Sequence, residues 1–428
     1  MGAVMLRSFQ VANHRSLRDE QELVLLPAYD QSRQVVPVAA VFGANASGKS
    51  NLLGALDWMR LAVIQSYRLW EAEAGVPRMP FRLDLDAAAA PSSYVVDLLL
   101  DGVQYIYGFT VDDDVVLTEW LHAYPHQRER VIFSREGQKV ELGSTVPERR
   151  SRADLLASLL RENSLLLSAA VQAGQEEVLP VHRWFREGLR FAGRNVWSGG
   201  MFVDDVAVAI DRFPSFVSLL KVADLGIADV IVDERMEAPS ARDLDHAARL
   251  EARIAETSAA GSMNNVDRRR REIRRLREPK VTKELLFLHG DDGVPLGWAD
   301  QSEGTLSWAR LLMAALSALR DGATLLVDEV DASLHPRLTA RLIELFRHDA
   351  VNENGAQLLF STHDATLLGT NLGEEVLRRD EIWFVDKKDG VSTLYPLSDF
   401  HPRKGENRER RYLAGSYGAV PAIFVDSL

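Results

Sequence analysis

Gly43-Ala44-Asn45-Ala46-Ser47-Gly48-Lys49-Ser50 sets two glycines, a lysine and a hydroxyl residue in one short loop. Glycines at those positions let backbone N–H groups turn inward around phosphate oxygens, and a helix beginning there adds partial positive charge. Lys49 is expected to neutralise the β and γ phosphates of a nucleoside triphosphate, with the Ser50 hydroxyl on Mg²⁺. Further along, the apolar run Ala323-Thr324-Leu325-Leu326-Val327 ends on Asp328-Glu329. Adjacent acids closing a buried strand need a cation nearby, because unpaired buried charge is costly. Asp328 suits water-mediated Mg²⁺ binding and Glu329 suits polarising an attacking water. His363 follows another apolar strand, where an imidazole can reach the γ phosphate or that water. Asp331 lies just past the acids and is expected to reach across a subunit boundary, whereas His335 reads as a turn residue.

Gln301-Ser302-Glu303-Gly304-Thr305 precedes a helix and offers a second anion cradle, in which hydroxyl, backbone N–H and helix dipole converge on one phosphate. One nucleotide needs one cradle, so Ser302 and Gly304 are expected to serve a nucleotide held by another copy of the chain. In a head-to-tail pair they would cap the γ phosphate held by the partner's Lys49, which implies a homodimer or a higher even oligomer. The alternative reading of Ser302 is a plain helix N-cap.

These residues need elements to hold them. The run Val35 to Phe42 stops at Gly43, and helical spacing from Gly48 carries Leu52, Leu53, Leu56 and Met59 on one side, giving strand, glycine loop and helix. Met5 to Leu26 alternates around His14-Arg15-Ser16 as two antiparallel strands, and Tyr94 to Phe133 reads as an antiparallel meander broken at Asp101-Gly102 and Asp112 to Asp114. Arg152 to Arg277 is mostly helical in spacing. A helix from Glu303 to Leu319, a strand Thr324 to Val327, a helix Arg337 to Phe346 and a strand Gln357 to Ser361 then alternate, as in a parallel sheet with covering helices. The expected organisation is an N-terminal lobe over residues 1–140, a helical insertion over 141–284 and a C-terminal lobe over 285–428.

Composition narrows the partners. The formal net charge is -12, so the surface as a whole does not attract nucleic acid, and any DNA contact must come from a local patch. Arg268 to Arg277 is such a patch, with seven arginines around Ile273 and Leu276; it reads either as a solvated helix face or as a docking surface for DNA or an acidic partner. The chain has no cysteine, which excludes thiolate chemistry and fits a reducing compartment. No apolar run approaches the roughly 20 residues that span a bilayer, and Met1 to Gln10 lacks the character of a signal peptide, so a cytoplasmic protein without membrane contact is expected.

Taken together, the phosphate loop with Asn45 and Asn51, Ser302-Glu303-Gly304, Asp328-Glu329, Asp331 and Ser361-Thr362-His363 resemble the ATPase heads of ABC, SMC and RecF proteins. The fold this implies is an α/β, ABC/SMC-like P-loop ATPase head with a flanking antiparallel β subdomain and a helical insertion, binding ATP and Mg²⁺. Phe9 to Leu26, Tyr105 to Phe109, Ser333-Leu334-His335-Pro336 and the closing Tyr412-Leu413-Ala414-Gly415-Ser416-Tyr417-Gly418-Ala419-Val420-Pro421 further resemble stand-alone bacterial defence ATPases such as RloA, the PARIS ATPase AriA and the ATPase half of OLD proteins. That resemblance implies an anti-phage role with a separate effector, a nuclease or toxin, because the residues after His363 are too few for a nuclease domain. A RecF-like repair ATPase and a non-hydrolysing ATP-bound scaffold are the alternatives. Two features depart from the pattern: Glu303 stands where transporters place glycine, and the glutamine loop has no clear motif, Gln65 being its candidate. No heptad run is long enough for an SMC coiled-coil arm.

Overall fold

The computed structural model describes residues 4–30, 32–192, 210, 212–222, 226–257, 263–290, 292–332, 334–372, 375–401 and 406–420. In chain order come β1 (Val4–Ala12), β2 (Gln21–Val24), β3 (Val38–Phe42), α1 (Lys49–Leu69), β4 (Ser92–Leu100), β5 (Val103–Val111), β6 (Val116–Tyr124), β7 (Arg130–Glu136), β8 (Lys139–Leu142), α2 (Leu166–Gln172) and β9 (Leu189–Ala192). Then follow β10 (Ile227–Glu237), α3 (Ala241–Thr257), α4 (Met263–Arg277), β11 (Lys280–His289), β12 (Val294–Gly297) and α5 (Glu303–Asp321). The chain closes with β13 (Thr324–Val327), α6 (Pro336–Arg347), β14 (Gln357–Thr362), β15 (Ile382–Lys388), β16 (Val391–Pro396) and α7 (Arg408–Leu413). It divides into two compact units, residues 1–196 with 310–428 and residues 197–309.

The first unit holds two sheets. One runs β16-β15-β3-β14-β13-β9, parallel except for the edge strand β16. Every residue of β3, β13 and β14 is buried, as parallel strands covered on both faces require. Thr362 pairs with Phe42 and Val327 with Phe360, so the loops after β3, β13 and β14 leave from the same carboxyl edge, where open α/β sheets bind ligands. The other sheet, β2-β1-β4-β5-β6-β7-β8, is antiparallel throughout. Buried Gln357 at the start of β14 joins the sheets: its Oε1 accepts from Leu6 N at 2.7 Å and its Nε2 donates to Leu6 O at 2.9 Å. Leu52, Leu53, Leu56, Met59 and Val63 of α1 pack into the core beneath.

Glu119 is wholly buried in the antiparallel lobe. It accepts hydrogen bonds from Leu166 N and Leu167 N at the start of α2 and from Tyr107 Oη, with Arg135 3.6 Å away. Burial raises its pKa, and Arg135 and the three donors work against that rise. A carboxylate at a helix start is favoured by the helix dipole, and this one ties α2 to the sheet.

In the second unit β10, β11 and β12 form an antiparallel sheet, and α3 packs against α4. The helical reading of Arg152 to Arg277 needs correction here, since β9 and β10 are strands. Alternation in β10 becomes decisive only against β11, which arrives after the whole α3–α4 hairpin. By compactness, residues 141–192 pack in the first unit, where Leu165, Leu166 and Leu167 are wholly buried.

Candidate functional site

The loop between β3 and α1 is held in a backbone form that few residues tolerate. Ala46 has φ 64° and Gly48 has φ 113°. A Cβ at Gly48 would sit 2.2 Å from Ser392 Oγ and 2.8 Å from Ser16 Oγ, so glycine is required for both backbone and space. No side chain caps α1, which leaves the N–H groups of its first turn directed at an anion. Lys49 is buried, and its Nζ donates to Gly43 O at 2.7 Å and Ala44 O at 3.0 Å. Burial lowers the lysine pKa, while Asp331, Glu329 and Asp328 hold it up. Three carboxylates thus lie near enough to favour the charged ammonium.

Ser50 Oγ donates to Asp328 Oδ1 at 3.0 Å, and Ser361 Oγ donates to the same oxygen at 2.5 Å. A hydroxyl beside a carboxylate is a hard oxygen pair suited to Mg²⁺, which keeps waters and phosphate oxygens as its other ligands. No cluster of three or more His, Cys, Asp or Glu that could hold a metal occurs among the described residues. Ser361 Oγ also accepts from Glu329 N at 2.7 Å, and Glu329 adopts φ 49°, a strained conformation for a non-glycine residue. Ser361 therefore orients both acids. Asp331 Oδ2 accepts from His363 Nδ1 at 2.9 Å, with the Asp331 side chain 6% exposed and that of His363 56%. Asp331, expected to reach across a subunit boundary, bonds the histidine of its own chain, and its second oxygen is buried without a partner.

Lys49, Ser50, Asp328, Glu329, Asp331 and His363 thus converge in the first unit, with Gly43, Asn45 and Asn51 on the same loop and helix. Ser302 and Gly304 belong to the second unit. There Ser302 Oγ accepts from Thr305 N at 3.1 Å, the N-cap bond of α5. Gln65 lies inside α1, so it is not in a loop. His335 Nδ1 accepts from Arg337 N and caps α6, as expected of a turn residue. Ser333 and Pro421 lie outside the described residues, as does the side chain of Arg268.

A network of serines went unread in the sequence. Ser392 Oγ donates to Ser47 O at 2.5 Å and accepts from Ser16 Oγ at 2.7 Å, and Asn51 Nδ2 donates to Ser16 Oγ at 2.6 Å. The turn after β1, the start of α1 and strand β16 thereby lock the phosphate loop. Beside them lies a cavity of about 440 Å³ lined by Arg15, Asn51, Phe81, Arg82 and Lys387 among others. The placement of Ser16 beside Arg15 at a turn was the one available signal.

On α4, Ile273 is buried, and Arg270, Arg271, Arg274 and Arg275 are exposed. Arg277 pairs with Glu251 of α3 at 2.7 Å. No helix among the described residues is long and apolar enough to cross a membrane.

Comparison with solved structures gives an SMC head bound to the C-terminal winged-helix domain of ScpA, 13% identical, covering 92% of this chain and 99% of that one, with a TM-score of 0.41. A Pyrococcus furiosus SMC head with an extended coiled coil, bound to the C-terminal domain of ScpA, is 12% identical over 93% and 98% (TM-score 0.39). The recombination mediator RecF with ATP is 14% identical over 92% and 98% (TM-score 0.37). No curated protein sequence matches the chain. The family profile described as "AAA domain, putative AbiEii toxin, Type IV TA system" matches residues 38–369, which run from β3 through the phosphate loop, the paired acids and His363. The chain belongs to that AAA family, on an α/β fold whose parallel strands carry the phosphate loop and the paired acids.

Proposed function

We propose that the protein is an ATP-hydrolysing switch, and that it is the ATPase component of a bacterial anti-phage defence system with a separate nuclease or toxin as effector. The observation that carries the reading is the meeting of Lys49, Ser50, Asp328 and Glu329 at one sheet edge, with Ser361 orienting both acids. Lys49 and the first-turn N–H groups of α1 take up the triphosphate charge. When bound, Mg²⁺ neutralises charge on the β and γ phosphates, and Ser50 and Asp328 are the residues to hold it. Glu329 accepts a proton from the attacking water as its oxygen bonds to the γ phosphorus and the bond to the bridging oxygen of the leaving ADP breaks. Asp331 fixes the His363 ring toward the same phosphate.

Two anion cradles per chain support a shared site, with Ser302 and Gly304 capping the γ phosphate of a partner copy in a homodimer or higher even oligomer. The exposed arginines of α4 are the surface by which such a switch meets DNA. The family description names a toxin–antitoxin system, in keeping with a defence role.

Glu329→Gln tests hydrolysis. ATP binding should persist, while single-turnover hydrolysis slows by roughly 100-fold or more, because the amide cannot accept the proton. A wild-type rate would remove Glu329 as the base. Tight binding without turnover in the unaltered protein would leave a scaffold.

A further inference from the structure

The closing motif around Tyr412 is absorbed by none of the chemistry above, yet it touches β3, which leads into the phosphate loop, and the turn that follows His363. Phe42, the last residue of β3, immediately precedes the phosphate loop and is wholly buried. The Tyr412 ring lies 6.0 Å from it, edge-on, and stacks on Phe384 of β15 at 5.6 Å. Tyr417 stacks on the same Phe384 ring at 5.4 Å, and its carbonyl accepts from Tyr395 Oη at 2.8 Å. Gly418 makes this approach possible: its φ is 68°, and a Cβ would fall 2.7 Å from Tyr395 Oη. Tyr412 Oη donates to Ala419 O at 3.1 Å, closing the motif on itself.

The same short helix grips the chain that follows His363. Asp364 caps the turn Ala365–Leu368 through Thr366 N, Leu367 and Leu368 are buried, and α7 packs on that turn. Arg408, itself buried, donates from Nη1 to Leu377 O at 3.0 Å and pairs with Glu375 at 2.8 Å. Glu409 accepts from Asn371 Nδ2 at 2.7 Å, and a Cβ on Gly369 would strike its carboxylate at 2.2 Å. One element therefore reaches the root of the phosphate loop through an aromatic ring and packs on the turn after His363, while Arg408 and Glu409 anchor it to Glu375, Leu377 and Asn371 farther along. Asp331 Oδ2 accepts from the exposed imidazole and from His363 N, and α7 packs on the turn that follows.

We infer that α7 is a positioning strap for hydrolysis: Tyr412 and Arg408 set the His363 turn relative to the phosphate loop without touching the nucleotide. The inference rests on the proposed role of His363. A misplacement of about 1 Å in such a constellation costs up to 100-fold in rate, while nucleotide affinity, set by the loop itself, stays.

The test is a double-mutant cycle in the full chain, with kcat and KM for Mg·ATP measured for Tyr412→Leu, His363→Ala and the pair. Tyr412→Leu should lower kcat roughly 10-fold and leave KM within about two-fold, whereas Tyr412→Phe, which keeps the ring, should restore most of the rate. In the His363→Ala background Tyr412→Leu should change kcat less than about two-fold, because its route is already cut. An equal loss in both backgrounds, or a loss confined to KM, overturns the strap and leaves the role of His363 standing. A wild-type kcat for His363→Ala overturns the role of His363 and the strap with it. If Tyr412→Leu fails to fold, Arg408→Gln is read in the same cycle with the same outcomes.

Discussion

Around the phosphate loop polar side chains are tied to groups from distant parts of the sequence: Ser50 to Asp328, Ser361 to Asp328 and to the backbone of Glu329, Ser392 to Ser16 and to the backbone carbonyl of Ser47. On α4, by contrast, Arg270, Arg271, Arg274 and Arg275 stand exposed along one helix, with ion pairs to Glu278 and Glu251 at its C-terminal end. The first region binds a compact, highly charged ligand, so its groups must be placed before the ligand arrives, and the placement leaves traces as strained φ angles and glycines without room for a Cβ. An extended polyanion makes no such demand. Charge at roughly the right spacing is enough, and the side chains order on contact.

The largest effect expected from this contrast is at Lys49. Replacing Lys49 with alanine leaves Asp328, Glu329 and Asp331 facing a triphosphate without their nearest cation. ATP affinity should fall on the order of 100-fold, more than loss of a single neutral hydrogen bond would give. Isothermal titration of wild type and variant measures it, and unchanged affinity would break the assignment of the loop.

A smaller effect connects the two units through the oligomer. Ser302 caps its own helix, a bond compatible with either a structural role or an additional phosphate contact. Mixing a Lys49→Ala chain with a Ser302→Arg chain, each inactive alone, should restore roughly one intact site per heterodimer if the nucleotide is shared between copies. Subunits that demonstrably exchange without recovered ATPase activity would confine Ser302 to its capping bond.

Legibility followed the same divide. The loop from Gly43 to Ser50, the acids Asp328 and Glu329 and the strands before them could be read because chemistry there demands particular residue types at fixed spacing, and burial demands apolar strands. Ser361 as the link between the two acids could not, since the link exists only once β14 lies beside β13. The Ser16–Ser392 bond joins residues at opposite ends of the chain, and no local pattern announces it. β10 was hidden for the same reason: its partner β11 comes only after two helices. Gln65 shows the converse error, a residue type taken as a signal in a helix whose spacing alone already accounts for it.

The smallest expected effect is on α4, and it decides whether that helix is a surface or only a solvated face. Arg270 and Arg274, and Arg271 and Arg275, are like charges at i, i+4, a spacing that costs a few tenths of a kcal/mol per pair on an exposed helix. A polyanion removes that repulsion, and guanidinium forks bind phosphate oxygens in pairs. A lipid surface is a poor match for the described part of α4, where Ile273 is buried, Leu276 is half-buried and the exposed residues are charged. Changing the four arginines to glutamine should leave ATP binding intact, weaken duplex DNA binding alike for unrelated sequences, and make the slope of log affinity against log salt shallower by about 3 to 4. Fluorescence anisotropy at several salt concentrations measures both quantities. An unchanged slope would reduce the arginine face to solvated charge, and the difference between the two regions would then be one of function against none, instead of one between two kinds of ligand.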